Sequence, residues 1–186
     1  MAYFYFDLRD IDKQCHRSLL QSLLFQLSTR SDAFSDILSG LYVAHDEGAR
    51  QPIDSDLTQC LKEMLTAPNQ GPIYLIMDAL DECPDTSGVP SSREQVLNLV
   101  QDLARLRLPN LRICITSRTE VDISETLKPL ASQTICIQDE LGQSKDIVNY
   151  VRSLAHSTAV MKRWRAEDQE YVIETLSERA DGMYEC

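Results

Sequence analysis

Apolar residues recur along this chain in two rhythms: short dense runs, and longer stretches where they return every three or four positions. Ala2–Asp7 is an aromatic run and reads as a strand. Ile73–Met77, five apolar residues in a row behind Gly71-Pro72, reads as another. An unbroken run of that kind predicts burial on both faces, as in a parallel sheet covered by helices. Leu111–Thr116 and Thr134–Ile137 are two further strand candidates. Between the first two runs, Asp10 or Asp12 caps a helix reaching about Ser28, with Leu19, Leu20, Leu23, Leu24 and Leu27 at helical spacing. Residues 32–43 predict a short helix broken near Gly40, and 45–53 a loop. Asp54 or Ser55 opens a helix through about Leu65, which the Pro68–Pro72 segment ends. A turn-rich, mobile loop is predicted over Pro84–Ser92. Glu94–Leu106 follows as a helix with Val96, Leu97, Val100, Leu103 and Ala104 facing inward. Helices near 144–156 and 166–180 complete the pattern, with Trp164 as their packing anchor. Strands separated by helical segments predict parallel pairing through right-handed crossovers.

The second run ends in Asp78, and Asp81 and Glu82 follow within one turn. In sheets of this kind ligands bind at the carboxyl ends of the strands. Three carboxylates gathered there repel one another unless a cation or a positively charged ligand offsets them. An acidic turn open to solvent is the plainer explanation of Asp81 and Glu82, but it does not account for Asp78. Arg118 ends the next strand and should lie beside the same site, within reach of a salt bridge to Asp78 or Asp81. Thr116 and Ser117 bring hydroxyls that could serve phosphate, water or the local backbone.

Composition narrows the picture a little. The chain has 186 residues, 43% of them hydrophobic, enough for one sizeable core. A net charge of −11 argues against nucleic acid or an anionic membrane as the main partner. No apolar stretch approaches the roughly 20 residues of a membrane span, and no signal peptide precedes the first strand. The six cysteines show no C-x-x-C and no metal-ligand spacing, which suits a reducing cytoplasm. Cys114 and Cys136 fall inside apolar runs and should pack as small hydrophobes.

The run Ile73-Tyr74-Leu75-Ile76-Met77-Asp78-Ala79-Leu80-Asp81-Glu82 resembles the Walker B segment of NACHT-type P-loop NTPases, above all the fungal branch with nephrocystin-like N-terminal modules. The Tyr3-Phe4-Tyr5-Phe6-Asp7 strand with Asp10, Lys13 and Gln14 is similar to the family's second strand and the helix after it. Arg112-Ile113-Cys114-Ile115-Thr116-Ser117-Arg118 resembles the sensor-1 strand. Asp146-Ile147-Val148-Asn149-Tyr150-Val151 and Ala180-Asp181-Gly182-Met183 resemble segments of the downstream helices. No G-x-x-x-x-G-K-[ST] loop occurs in the chain. The resemblance places that loop, with its strand and helix, upstream of Tyr3.

The resemblance implies an α/β fold: a three-layer P-loop NTPase-like parallel sheet with helices on both faces, truncated because the first, central strand is missing. The partial core would span 1–143, and 144–186 would begin the helical region after it. The implied cofactors are Mg²⁺ and ATP or GTP. Asp78 would then hold the metal, Glu82 and Asp81 would act on the attacking water, and Arg118, Thr116 and Ser117 would meet the nucleotide. Without a phosphate loop, Arg118 is the main cation left at the site. One such contact does not outweigh association costs of about 4 kcal/mol or more. The expectation is therefore a partial NACHT-family switching module that neither binds nor hydrolyses NTP alone. The alternatives are a non-enzymatic interaction module or truncated product and, more weakly, a metal-dependent hydrolase or phosphoacceptor domain. Protein partners or self-association are expected in either of the first two cases.

Overall fold

A computed structural model describes residues 1–85, 90–136, 141–157, 161 and 164–179. The chain forms two compact units, Met1–Ala131 and Ser132–Cys186. In the first, three strands lie in the order β1 (Ala2–Tyr5), β2 (Ile73–Asp78) and β3 (Leu111–Ile115), all parallel. The helices α1 (His16–Ser28), α2 (Asp32–Ala44) and α3 (Asp54–Thr66) link β1 to β2, and α4 (Ser92–Arg105) links β2 to β3. A short helix, α5 (Val121–Leu127), follows β3. The fold is α/β, with the layout of a truncated three-layer architecture.

Register decides which side chains share a face. Ala2 pairs with Leu75 and Phe4 with Met77, while Ile73, Leu75 and Met77 pair with Leu111, Ile113 and Ile115. These residues meet one core, filled by Leu19, Leu20, Leu23 and Leu27 of α1, Leu61, Met64 and Leu65 of α3, and Val96, Val100 and Leu103 of α4. Tyr3, Tyr5, Tyr74 and Cys114 project from the other face and are about half exposed or more. Burial along β2 therefore alternates, against the expectation of a strand buried on both faces. The intervening positions that made the run look continuous, Tyr74 and Ile76, belong to the open face.

The helix starts follow side-chain chemistry. Asp10 caps only a 3-10 turn, Ile11–Lys13. The helix proper begins after Cys15, whose Sγ accepts from the Ser18 N–H. Ser31 caps α2 and Ser91 caps α4. Gly40 does not break α2; a Cβ there would meet open space, and the helix runs on through Ala44. Asp56 accepts from the Ile53 N–H at 3.0 Å at the start of α3.

Of the expected fourth strand, residues 134–136 have no strand pairing among the described residues, and Ile137 lies outside them. The predicted loop at 84–92 is described except for 86–89, and Ala180–Met183 also lies outside. The second unit contains α6 (Leu141–Ser157) and α7 (Ala166–Arg179), which carry the ion pair between Arg152 and Glu170 at 3.0 Å. Trp164, expected as the packing anchor of these helices, is nearly half exposed. No helix among the described residues is long and apolar enough to cross a membrane.

Candidate functional site

The carboxyl ends of three neighbouring strands bring the acidic residues together. Asp78 is the last residue of β2 and exposed, and its carbonyl accepts from the Phe6 N–H at 3.0 Å. The chain then reverses at Ala79, which takes the left-handed backbone conformation (φ 55°, ψ 48°), and enters a 3-10 turn, Leu80–Glu82. A left-handed alanine is strained, and such residues persist only where their surroundings fix them. Thr116 does so. Its hydroxyl donates to Asp78 Oδ1 and accepts from the Ala79 N–H at 3.0 Å, and its carbonyl accepts from the Leu80 N–H at 3.0 Å.

The two following carboxylates turn toward neighbouring loops. Asp81 Oδ1 accepts from the Arg118 N–H at 3.0 Å, and Arg118 Nε lies 3.6 Å from Asp81 Oδ2. The Asp81 side chain is only 10% exposed, whereas that of Arg118 is 73% exposed, so the backbone bond is the firmer part of this link. Glu82 Oε2 accepts from the Leu8 N–H at 3.0 Å, in the loop that leaves β1. That loop is pinned further where the Gln14 side-chain amide donates to the Leu8 carbonyl. Cys83 closes the turn, fully buried, its thiol donating to the Gln14 carbonyl at 3.5 Å. Burial pushes the Cys83 thiol up to about 12, so it remains protonated.

Asp78, Asp81, Glu82, Thr116 and Arg118 thus converge. Ser117 does not join them: its hydroxyl donates to the Arg118 carbonyl at 2.7 Å. Lys13 stands over the Tyr5 ring at 3.9 Å and lies 3.4 Å from Asp10 Oδ2, and Tyr5 is the register partner of Asp78. Arg93 escaped the sequence reading. It sits in the first turn of α4 and grips the acidic turn from behind. Its only sequence signal is a basic residue where helix dipoles favour acids.

Magnesium keeps several waters and takes one or two protein carboxylates beside the phosphates of a bound substrate. Of the three acidic residues Asp78 is the exposed one, with one oxygen held by Thr116, while Asp81 and Glu82 each commit one oxygen to a loop amide. Among the described residues no three His, Cys, Asp or Glu side chains gather as a metal-binding set. The side chains present do not by themselves make a magnesium site.

A three-stranded parallel α/β sheet, with an acidic turn after β2 and an arginine after the neighbouring β3, defines the class: an α/β module whose candidate site lies at the strand ends. The family model described as nephrocystin 3, N-terminal, matches residues 1–118, and the chain belongs to that family. No curated protein and no solved structure matches the chain.

Proposed function

We propose that the chain carries the acidic strand end and sensor strand of a NACHT-type, nucleotide-switched assembly module of the cytoplasm, and that these 186 residues alone hold nucleotide poorly. The observation that carries this reading is the pairing of Asp78 with Thr116 and of Asp81 with Arg118 at the ends of neighbouring parallel strands, with Glu82 in the same acidic turn. Its limit is electrostatic. P-loop proteins cradle phosphate with backbone N–H groups and a lysine, and no such glycine-rich run exists here. The N–H groups of Leu8 and Arg118, which could face an anion, already donate to carboxylates. Asp78 as metal ligand, Glu82 and Asp81 as groups acting on water, and Arg118 and Thr116 as nucleotide contacts are roles for a form in which phosphate is held by something else. Isothermal titration with MgATP tests the reading. Binding weaker than about millimolar is expected, and saturable micromolar binding abolished by Asp78→Ala would overturn the view of an incomplete site.

A second reading, a non-enzymatic module that binds protein strands, is favoured by the β3 edge. Thr116 N–H donates to Met77 and Asn110 accepts from Ile73, so by alternation Ile113 and Ile115 turn their N–H and C=O away from β2. Among the described residues no strand pairs with that edge, which suits strand addition. Tight binding of an extended peptide by a chain that ignores MgATP would favour this reading over the first.

A further inference from the structure

We propose that Arg93 is the positioning residue of the acidic turn, holding Asp81 and Glu82 in the orientation that ties the ends of β1, β2 and β3 together. Its guanidinium donates through Nη2 to the Asp81 carbonyl at 2.6 Å and through Nε to the Cys83 carbonyl at 2.8 Å. Nη1 lies 3.5 Å from Asp122 Oδ2, in α5. The Arg93 N–H donates to the Pro84 carbonyl at 3.2 Å, so backbone and side chain together grip residues 81 to 84.

The side chain is only 12% exposed. A charge so far withdrawn from water needs its donors satisfied, and here two of its three acceptors are main-chain carbonyls of one turn. Those carbonyls end a 3-10 turn that has no following helix to use them. A planar fork can reach both at once and still face Asp122; a single ammonium cannot hold that geometry. The turn in turn sets two carboxylates. Asp81 meets the Arg118 N–H and Glu82 meets the Leu8 N–H, so the orientation fixed at Arg93 reaches the loops after β3 and β1. Arg93 acts from behind the turn and touches no atom that a ligand at the strand ends would meet. It therefore positions the site without belonging to its binding surface.

The proposal rests on reading the strand end as the functional site, but its test requires no nucleotide, so the two can fail separately. Amide hydrogen exchange would be followed by NMR in the full chain, in Arg93→Ala and in Arg93→Lys. The expected result is a selective loss of protection at Leu8 and Arg118 of about tenfold to a hundredfold, the range for losing a charged hydrogen bond. Core amides such as those of Leu23 and Leu61 should keep their protection. Arg93→Lys should behave like Arg93→Ala at these two amides although it keeps the charge beside Asp122. If Arg93→Ala does not fold, Arg93→Lys alone decides. Equal loss of protection throughout would make Arg93 an ordinary stabilising residue, and unchanged exchange at Leu8 and Arg118 would remove it from the site; either outcome overturns the proposal.

Discussion

At the scale of single residues, two positions carry strain or charge whose cost is measurable. Ala79 holds the left-handed conformation that turns the chain after Asp78. That conformation costs alanine about 1–2 kcal/mol, while glycine's looser unfolded chain offsets about 0.4–1 kcal/mol of the relief. Ala79→Gly should therefore stabilise the fold by roughly 0.5–1 kcal/mol in urea unfolding, and a loss of stability would show that the turn is not strained as described. His16 begins α1 in near-complete burial, its Nδ1 without a hydrogen bond and 3.6 Å from Asp54 Oδ2. Burial lowers its pKa from the ordinary value of 6.5, and the Asp54 charge, itself held by Arg17 at 2.6 Å, only partly opposes this. The folded state thus keeps His16 neutral where the unfolded chain takes up a proton. Its contribution is fully present above pH 6.5 and is lost as pH falls below that value toward the folded pKa. Asp56 and Asp102 also titrate low, but their losses fall in the window below the usual carboxylate value of 3.8. Stability measured across the mildly acidic range should fall in the native chain and fall less in His16→Asn.

At the scale of elements, the strands and most helices were legible because their apolar periods are strong. Leu19 to Leu27 mark α1, and Val96 to Leu103 mark α4. What the pattern missed has physical reasons. The Ile73–Met77 run shows no polar alternation because Tyr74 and Ile76 are apolar on an open face, so one-sided burial was invisible. Ser117 and Thr116 are equivalent in sequence, and only the turn geometry selects Thr116 for Asp78. Gln26, on α1, was equally silent. Its amide accepts from the Tyr3 N–H at 3.1 Å and donates to the Tyr3 carbonyl at 2.6 Å, closing the free edge of β1 as a neighbouring strand would. Natural sheets block their edges by such devices. Gln26→Ala should cost about 1 kcal/mol or less at this exposed site and should raise self-association in light scattering. Unchanged scattering would show that the β1 edge is protected by something other than this clamp.

At the scale of the whole molecule, the two edges of the sheet are treated differently. Gln26 closes β1, while among the described residues no strand pairs with the polar groups of Ile113 and Ile115 on the outer edge of β3, beside a face carrying Tyr3, Tyr74 and Cys114. Unpaired backbone next to exposed apolar side chains is a template for another strand. Opposing this, a net charge of −11 makes copies of the chain repel one another at low salt. That repulsion decays over about 8 Å at physiological ionic strength, whereas pairing of backbone groups is little screened. Self-association through β3 should therefore rise with protein concentration and with added salt. Cys114 is exposed on the open face of that edge strand, so Cys114→Lys sets an ammonium beside the edge without disturbing the core. It should lower the association measured by light scattering while leaving the thermal melt of a dilute sample unchanged. The opposite edge supplies the control, because a lysine at Tyr3 adds the same charge beside the strand that Gln26 already closes. If Cys114→Lys and Tyr3→Lys reduce association equally, net charge alone is responsible and the open β3 edge is not the contact.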